Sequence, residues 1–443
     1  MLKAGFISLG CAKNLVDTEV MLGLLAANQI KLTDNPQEAD ILIINTCSFI
    51  ESAKEESITT ILQMAEYKKQ GNCKCLIVAG CLGQRYQQDL LDELPEVDAI
   101  VGTGDWHRIM EAINSTMNNK KRVLLVGETN TLYDETMPRI NTTPFYSAYV
   151  KVAEGCSNCC SYCVIPKVRG SFRSRKMESI VTEVKNLVAN GVKEVNLIAQ
   201  DTTSYGRDLY GAAKLTDLLK ELVKIDGLMW IRLLYCYPKH FSNELIELIA
   251  TESKICKYID LPLQHANDTI LKSMLRQDSR KDIENLLNTL RSKIPGITVR
   301  TSFIVGFPGE TEAHFEDLRQ FVMAQKFDRV GVFTYSQEED TIAANLPNQV
   351  SDEVKQERYH NLMTLQCQIS EQLNQELEGT VLDVLIEQVN TEPEIVVSGR
   401  SYREAPDVDG QIYVEKATNC RPGDVIKVKI VQGFTYDVVA EKL

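Results

Sequence analysis

The chain has 443 residues, too many for one ordinary domain, and its 44% hydrophobic and 25% charged side chains are those of a globular protein able to bury large cores. Its 48 basic against 61 acidic side chains give a net charge of −13, which excludes a protein whose main task is gripping phosphate backbones, because that work needs clustered Lys and Arg. Thirteen cysteines without a secretion signal, and no run of about 18 apolar residues, point away from disulfides and membranes and toward metal binding in the cytoplasm.

The first 120 residues alternate short apolar runs with amphipathic stretches, the order of a doubly wound α/β parallel sheet. Strands are predicted at Ala4–Leu9, Ile41–Asn45, Cys75–Ala79 and Ala99–Val101, with helices such as Asn14–Ala27 and Glu51–Lys69 between them. The ten residues before Cys11 are too few for a lipoprotein leader. Residues Asp134–Pro144 mix Pro, Asn and Thr without periodicity, a linker composition that ends the first domain at about residue 135.

A second domain is expected over 142–376. Its six strand candidates are Ala148–Ala153, Glu194–Ile198, Trp230–Leu234, Tyr258–Leu261, Thr298–Val305 and Val330–Thr334. Helices such as Met177–Ala189 and Leu215–Lys224 separate them, so right-handed crossovers would build an open, partial (β/α)6 barrel. Ser351–Gly379 reads as one long helix. From 377 to 443 the chain turns to Val and Ile with two-residue alternation, broken by Gly410, Pro422-Gly423 and Gly433, as in a small five-stranded antiparallel β-barrel.

Cys11, Cys47 and Cys81 each follow a predicted strand of the first domain. Ligands of open parallel sheets bind beyond the carboxyl ends of the strands, so these three thiols are candidate metal ligands although free Cys is also a common small core residue. Cys73 and Cys75 lie at the opposite end of the third strand and are read as structural.

The sharper signal follows the first strand of the second domain. In Glu154-Gly155-Cys156-Ser157-Asn158-Cys159-Cys160-Ser161-Tyr162-Cys163, Cys156, Cys160 and Cys163 are set as Cys-x-x-x-Cys-x-x-Cys. Three thiolates on a four-iron cluster leave one iron open for chemistry. The loop resembles that of radical S-adenosylmethionine (SAM) enzymes, in which the open iron is chelated by SAM and one electron cleaves it to a 5′-deoxyadenosyl radical. Zinc is the rival, because Cys156/Cys159 and Cys160/Cys163 form two Cys-x-x-Cys pairs, but the pairs abut without the loop that wraps one ion. Cys159 is therefore a bystander. Gln200-Asp201, Gln264-His265 and Ile304 to Glu310 each end a strand at the same barrel mouth, and Gln200, Gln264 and Gly306, with Tyr162 of the cysteine loop, are the candidate cofactor contacts. The basic run Lys167 to Arg175 is either a solvated loop or a set of cations near cluster or substrate.

Ser8-Leu9-Gly10-Cys11-Ala12-Lys13-Asn14-Leu15-Val16-Asp17, the cysteine loop, Asp260-Leu261-Pro262-Leu263-Gln264-His265 and Ala405-Pro406-Asp407-Val408-Asp409-Gly410 together resemble the methylthiotransferases. The resemblance implies two 4Fe-4S clusters, the radical-generating one on Cys156, Cys160 and Cys163 and a second on Cys11, Cys47 and Cys81, with SAM as co-substrate, an external electron donor and a C-terminal TRAM domain. It also implies the branch that modifies the β-carbon of an aspartate in small-subunit ribosomal protein twelve. From Glu376 onward 13 acidic face 7 basic side chains, a sign that attracts a basic protein and argues against strong direct nucleic-acid binding. The alternatives are a tRNA adenosine methylthiotransferase and an iron–sulfur carrier or scaffold.

Overall fold

The computed structural model describes residues 1–119, 121–390, 396–415 and 417–443; residues 391–395 and 416 of the expected barrel lie outside them. The first sheet holds β1 (Lys3–Ser8), β2 (Lys31–Leu32), β3 (Ile41–Thr46), β4 (Cys75–Gly80), β5 (Ala99–Val101) and β6 (Val123–Leu125), all parallel, in the order β2-β1-β3-β4-β5-β6. Its central strands are continuously apolar because both faces are covered. Ile41, Ile43 and Ile77 pack with Val16, Val20 and Leu25 of helix Ala12–Ala27, while Leu42, Ile44 and Val78 pack on the other side with Ile61 and Leu82. The sequence reading missed β2 and β6, which at two and three residues are too short to show a period.

Residues 134–144 have the composition of a linker but are clamped. Arg139 is held by Glu19 at 2.6 Å and Glu183 at 2.5 Å, the Ile140 N–H donates to Glu19 O, and Thr142 donates to Glu19 Oε1. The segment thereby ties the first domain to the second.

The second sheet comprises β7 (Ser147–Lys151), β10 (Glu194–Ile198), β11 (Trp230–Leu233), β12 (Ile255–Asp260), β13 (Thr298–Val305) and β14 (Arg329–Thr334), parallel and in chain order from one edge to the other. A two-stranded ribbon, β8 (Ala153–Glu154) with β9 (Arg173–Ser174), brackets the cysteine loop. One face of the sheet, including Val150, Leu197, Ile231, Ile259 and Phe303, is covered by helices. The other face contributes Tyr149, Ile198, Trp230, Leu234 and Tyr258 to a core shared with helix Ala12–Ala27 and with Leu385 and Ala405 of the C-terminal region. All three parts of the chain therefore meet in one apolar cluster.

The long helix spans Asp352–Gln375. After it β15 (Val381–Asn390), β16 (Val396–Arg400), β17 (Ile412–Glu415), β18 (Val425–Gly433) and β19 (Val438–Lys442) close into a barrel. It is antiparallel except where β17 meets β19, which pair in parallel. Five is an odd number, so strands cannot alternate direction all the way round a closed barrel, and one neighbour pair must be parallel.

Candidate active site

β1, β3 and β4 are neighbours, so their carboxyl ends carry Cys11, Cys47 and Cys81 to one edge of the first sheet. Gly10 has φ +84°, and a Cβ there would lie 2.8 Å from Cys47 Cβ, which shows how closely the first two loops approach. Cys11 caps helix Ala12–Ala27, whose positive N-terminal end favours bound negative charge, and Cys81 opens a short helical stretch that breaks at Gln87, where φ is +45°. Cys11 is exposed, Cys47 half-buried and Cys81 buried. Although Cys11 is exposed as a residue, the protein packed around its sulfur works to raise the thiol, but Lys13, Arg169 and the backbone N–H groups of Asn14 and Lys13 outweigh this and lower the pKa. Burial, with Cys81 and Cys11 as like-charged neighbours, pushes Cys47 up to about 12, and burial raises Cys81 against the opposing pull of Arg169. The three thiols thus sense one another, and a bare trio cannot be charged together without cations.

The second set lies in the loop between β8 and β9. Its backbone is pinned: Cys156 N–H donates to Gly170 O at 3.1 Å, Ser161 N–H to Met274 O at 3.0 Å, and Cys163 N–H to Cys160 O at 3.1 Å. Asn158 Nδ2 donates to Asp201 Oδ2 at 2.9 Å, fixing the middle of the loop. Burial pushes Cys156 up to about 11 and raises Cys163 further, in each case with Cys160 as a like-charged neighbour. Cys159 is exposed, with φ +52°. Cys73 and Cys75 are buried at the far end of β4.

The donor chemistry fits iron–sulfur clusters. In both sets the backbone N–H two residues on works to lower the thiol's pKa, Lys13 for Cys11, Phe49 for Cys47, Asn158 for Cys156 and Ile165 for Cys163. Hydrogen bonds from such groups stabilise cluster-bound thiolates and tune their potential. Among the described residues no three His, Cys, Asp or Glu side chains converge to hold one metal ion. A single zinc ion needs its sulfurs within about 2.3 Å of one point, whereas a cluster takes each thiolate at a separate corner.

The other predicted residues divide. Gln200 Nε2 donates to Glu154 Oε1 at 2.7 Å, while Gln200 Oε1 is buried with no partner among the described residues. Tyr162 packs with Ile270, Met274 and Phe307, and burial together with the adjacent Cys160 lifts its phenol well above the usual range. Gln264 has φ +73° and bridges to Phe303, with no side-chain hydrogen bond among the described residues. Gly306 has φ +73°, and a Cβ there would meet Lys355 Cγ of the long helix at 2.2 Å, whereas a Cβ on Gly309 would meet nothing within 4 Å. His265 is buried, its Nδ1 accepting from Asn267 N–H at 2.9 Å and its Nε2 lying 3.5 Å from Glu310 Oε2.

The basic run is not one solvated loop. Lys167 is exposed, but Arg169 and Arg175 are buried. Arg169 reaches from the second domain into the first, with Nη1 2.6 Å from Asp17 Oδ2 and 3.3 Å from Glu154 Oε2, and with Nη2 on Asn14 Oδ1. Cys81 Sγ lies 3.7 Å from that same Asn14 Oδ1, and Lys151 Nζ joins Asp17 and Glu154 at 2.5 Å each. Lys13 Nζ, two residues beyond Cys11, sits 3.1 Å above the ring of Tyr235 just past β11. The segment after β14 ties both cysteine sets from the side: Ala343 N–H donates to Ser161 O, Ser336 accepts from Glu51 N–H, and buried Glu338 pairs with Arg85 and Lys54. Sequence reasoning missed this network. Its trace was the polar start of helix Ala12–Ala27, where Lys13, Asn14, Asp17, Thr18 and Glu19 are buried together with Val16 and Val20.

The parts have recognisable relatives. Residues 3–102 match the uncharacterized protein family UPF0004, residues 150–322 the radical SAM superfamily and residues 379–442 the TRAM domain. The chain is 53% identical over 439 residues to the ribosomal protein uS12 methylthiotransferase RimO of Geotalea uraniireducens, covering 99% of this chain and 98% of that one. It is likewise 53% identical over 437 residues to the protein of that name from Desulforamulus reducens, covering 99% and 98%. Among solved structures the radical SAM methyltransferase TsrM of Kitasatospora setae aligns with a TM-score of 0.55 at 15% identity, over 75% of this chain and 72% of that one, a likeness of fold. Among the described residues no helix is long and apolar enough to cross a membrane. Two cysteine sets at the strand ends of two parallel sheets, with Arg169 from the chain after the second set reaching the helix that Cys11 caps, and full-length identity above one half show that the chain belongs to the RimO family of radical SAM methylthiotransferases.

Proposed function

We propose that the enzyme attaches a methylthio group to the β-carbon of an aspartate in small-subunit ribosomal protein uS12, with residues 1–135, 142–376 and 377–443 as its three working units. Cys156, Cys160 and Cys163 hold a 4Fe-4S cluster beside SAM, and Cys11, Cys47 and Cys81 hold a second. When bound, these groups and an external one-electron donor supply the radical that takes hydrogen from an unactivated carbon, a C–H too weakly acidic for a side-chain base. The observation that carries this reading is the Arg169 link between the two sets, because methylthio transfer needs a hydrogen-removing centre and a sulfur-bearing centre within reach of one substrate carbon.

The chain's own residues do the placing. Asp201 fixes the loop through Asn158, and Glu154 orients Gln200, whose free buried oxygen is set to accept a hydrogen bond from the amino group of SAM. Tyr162, Phe307 and Met274 form an apolar wall beside Cys160 that keeps water from a reactive radical. The acidic C-terminal barrel favours a basic protein over RNA.

The test is mass spectrometry of uS12 after incubation with anaerobically reconstituted enzyme, SAM, sulfide and reductant. Gain of one methylthio group on aspartate is expected. Modification of tRNA in place of uS12 would refute the substrate assignment.

A further inference from the structure

β14 pairs with β13 on one side only, in unbroken register, and its other side is the free edge of the second sheet. Tyr335 N–H donates to Val305 O at 2.9 Å. By the two-residue repeat of a parallel ladder the amides of Gly331 and Phe333 also turn toward β13, and those of Val330, Val332 and Thr334 turn outward. The strand reads Arg-Val-Gly-Val-Phe-Thr, without the proline, lysine or bulge that usually blunts an exposed edge.

At the start of this edge lies a cavity of about 280 Å³ walled by Arg329, Val330, Gly331, Gln366, Asp409 and Tyr436. Two polar atoms of that wall, Arg329 Nε and Gln366 Oε1, are buried without a hydrogen-bond partner among the described residues. One is a donor and the other an acceptor, the complement of a single peptide group. A phosphate offers acceptors only and would leave Gln366 Oε1 unmatched. At its other end the strand runs into the segment that touches Ser161 in the cysteine loop and pairs Glu338 with Arg85 and Lys54 beside the first cysteine set. Six residues at about 3.3 Å each give a track of about 20 Å from the C-terminal barrel to the barrel mouth.

We propose that the free edge of β14 binds an extended segment of the polypeptide substrate as a seventh strand, with one peptide group seated between Arg329 and Gln366, and so delivers the residue to be modified to the mouth. This rests on the reading of a protein substrate given above. Backbone pairing supplies affinity in such strand addition, while the cavity at one end fixes register.

Amide hydrogen exchange on the SAM-bound holoenzyme, with and without uS12, reads the edge directly. Exchange at Val330, Val332 and Thr334 slows at least about tenfold when uS12 is added, the protection expected of new ladder bonds. The variant Val330→Pro removes an outward N–H and no bond to β13, and raises the KM for uS12 about tenfold or more, with iron content and circular dichroism checking its fold. Methylthiolation of uS12 with unchanged exchange at all three amides overturns the edge and spares the substrate assignment. Failure of the wild-type enzyme to modify uS12 at all overturns both.

Discussion

Arg169 Nη1 lies 2.6 Å from Asp17 Oδ2, so a cation carried by the second domain is buried against the helix that Cys11 caps. The guanidinium is also shared with Glu154 and Asn14, and its charge is felt at Cys81 and Cys11. Removing one member of a buried ionic group costs about 3–5 kcal/mol, because the others stay buried and uncompensated. Arg169→Ala is therefore expected to lower stability by about that amount in denaturant unfolding. It should also move the reduction potential of the Cys11/Cys47/Cys81 centre downward, since a nearby cation favours the more negative, reduced state. A potentiometric titration followed by electron paramagnetic resonance checks this, and an unchanged potential would remove Arg169 from that role. Arg169→Lys keeps the charge but not the planar fork that serves Asp17, Glu154 and Asn14 together, so it should restore the potential more than the stability.

The two cysteine sets should separate by function. Cys156→Ala is expected to abolish 5′-deoxyadenosine formation, whereas Cys11→Ala spares SAM cleavage and stops methylthio transfer. Anaerobic reconstitution should give about eight irons in the wild type and about four in each variant. Chromatographic assay of 5′-deoxyadenosine decides the matter: identical behaviour of the two variants would contradict the division of labour.

Gln200 offers a narrower test. Its amide nitrogen is held by Glu154, and its oxygen is buried and unmatched. Loss of one hydrogen bond to a charged group is worth about 1.5–3 kcal/mol. Gln200→Leu should thus weaken SAM binding by roughly tenfold or more, measured by equilibrium dialysis, while the iron content stays at the wild-type level. Unaltered SAM affinity would assign Gln200 to holding Glu154 alone.

What the sequence revealed and what it hid follow from the range of each signal. Parallel strands buried on both faces leave apolar runs, so Glu194–Ile198 and Thr298–Val305 were legible to the residue. The cysteine loop was legible because its three spaced thiols are local in the chain. Cys11, Cys47 and Cys81 became legible only through the rule that sites gather at strand ends. Arg169 was hidden, since a buried arginine and an exposed one look alike in a basic run, and its partners Asn14 and Asp17 are about 150 residues away. Gly306 carries a constraint that the sequence hid: a Cβ there would meet Lys355 of a distant helix, and such a glycine leaves the same trace as one that lets a ligand approach.

Glu194 gives the molecule an acid-sensitive joint. It is fully buried, its Oε1 accepting from Arg232 at 3.0 Å and its Oε2 from Arg400 at 2.7 Å and Ser147 at 2.9 Å, and Arg400 belongs to the C-terminal barrel. Burial works to raise its pKa, but Arg400 and then Arg232 outweigh that and hold the carboxyl at about 2, below its ordinary 4.5. A carboxylate whose folded pKa is depressed stabilises the fold in full above its unfolded value and loses that contribution as pH falls through the folded one. At about 1.4 kcal/mol per pKa unit, the shift corresponds to roughly 3 kcal/mol, present above about pH 4.5 and gone near pH 2. Glu194→Gln leaves Arg232 buried without its carboxylate and Arg400 with Glu387 as its remaining counter-charge, and should cost about 3–5 kcal/mol at neutral pH. The gap in Tm between wild type and variant should then narrow as pH is lowered from 4.5 toward 2, because protonation does to the wild type what the substitution has already done to the variant. Scanning calorimetry over that window measures it, and a gap that stays constant would mean that the carboxylate is not ionised against Arg400 and Arg232 in the folded enzyme.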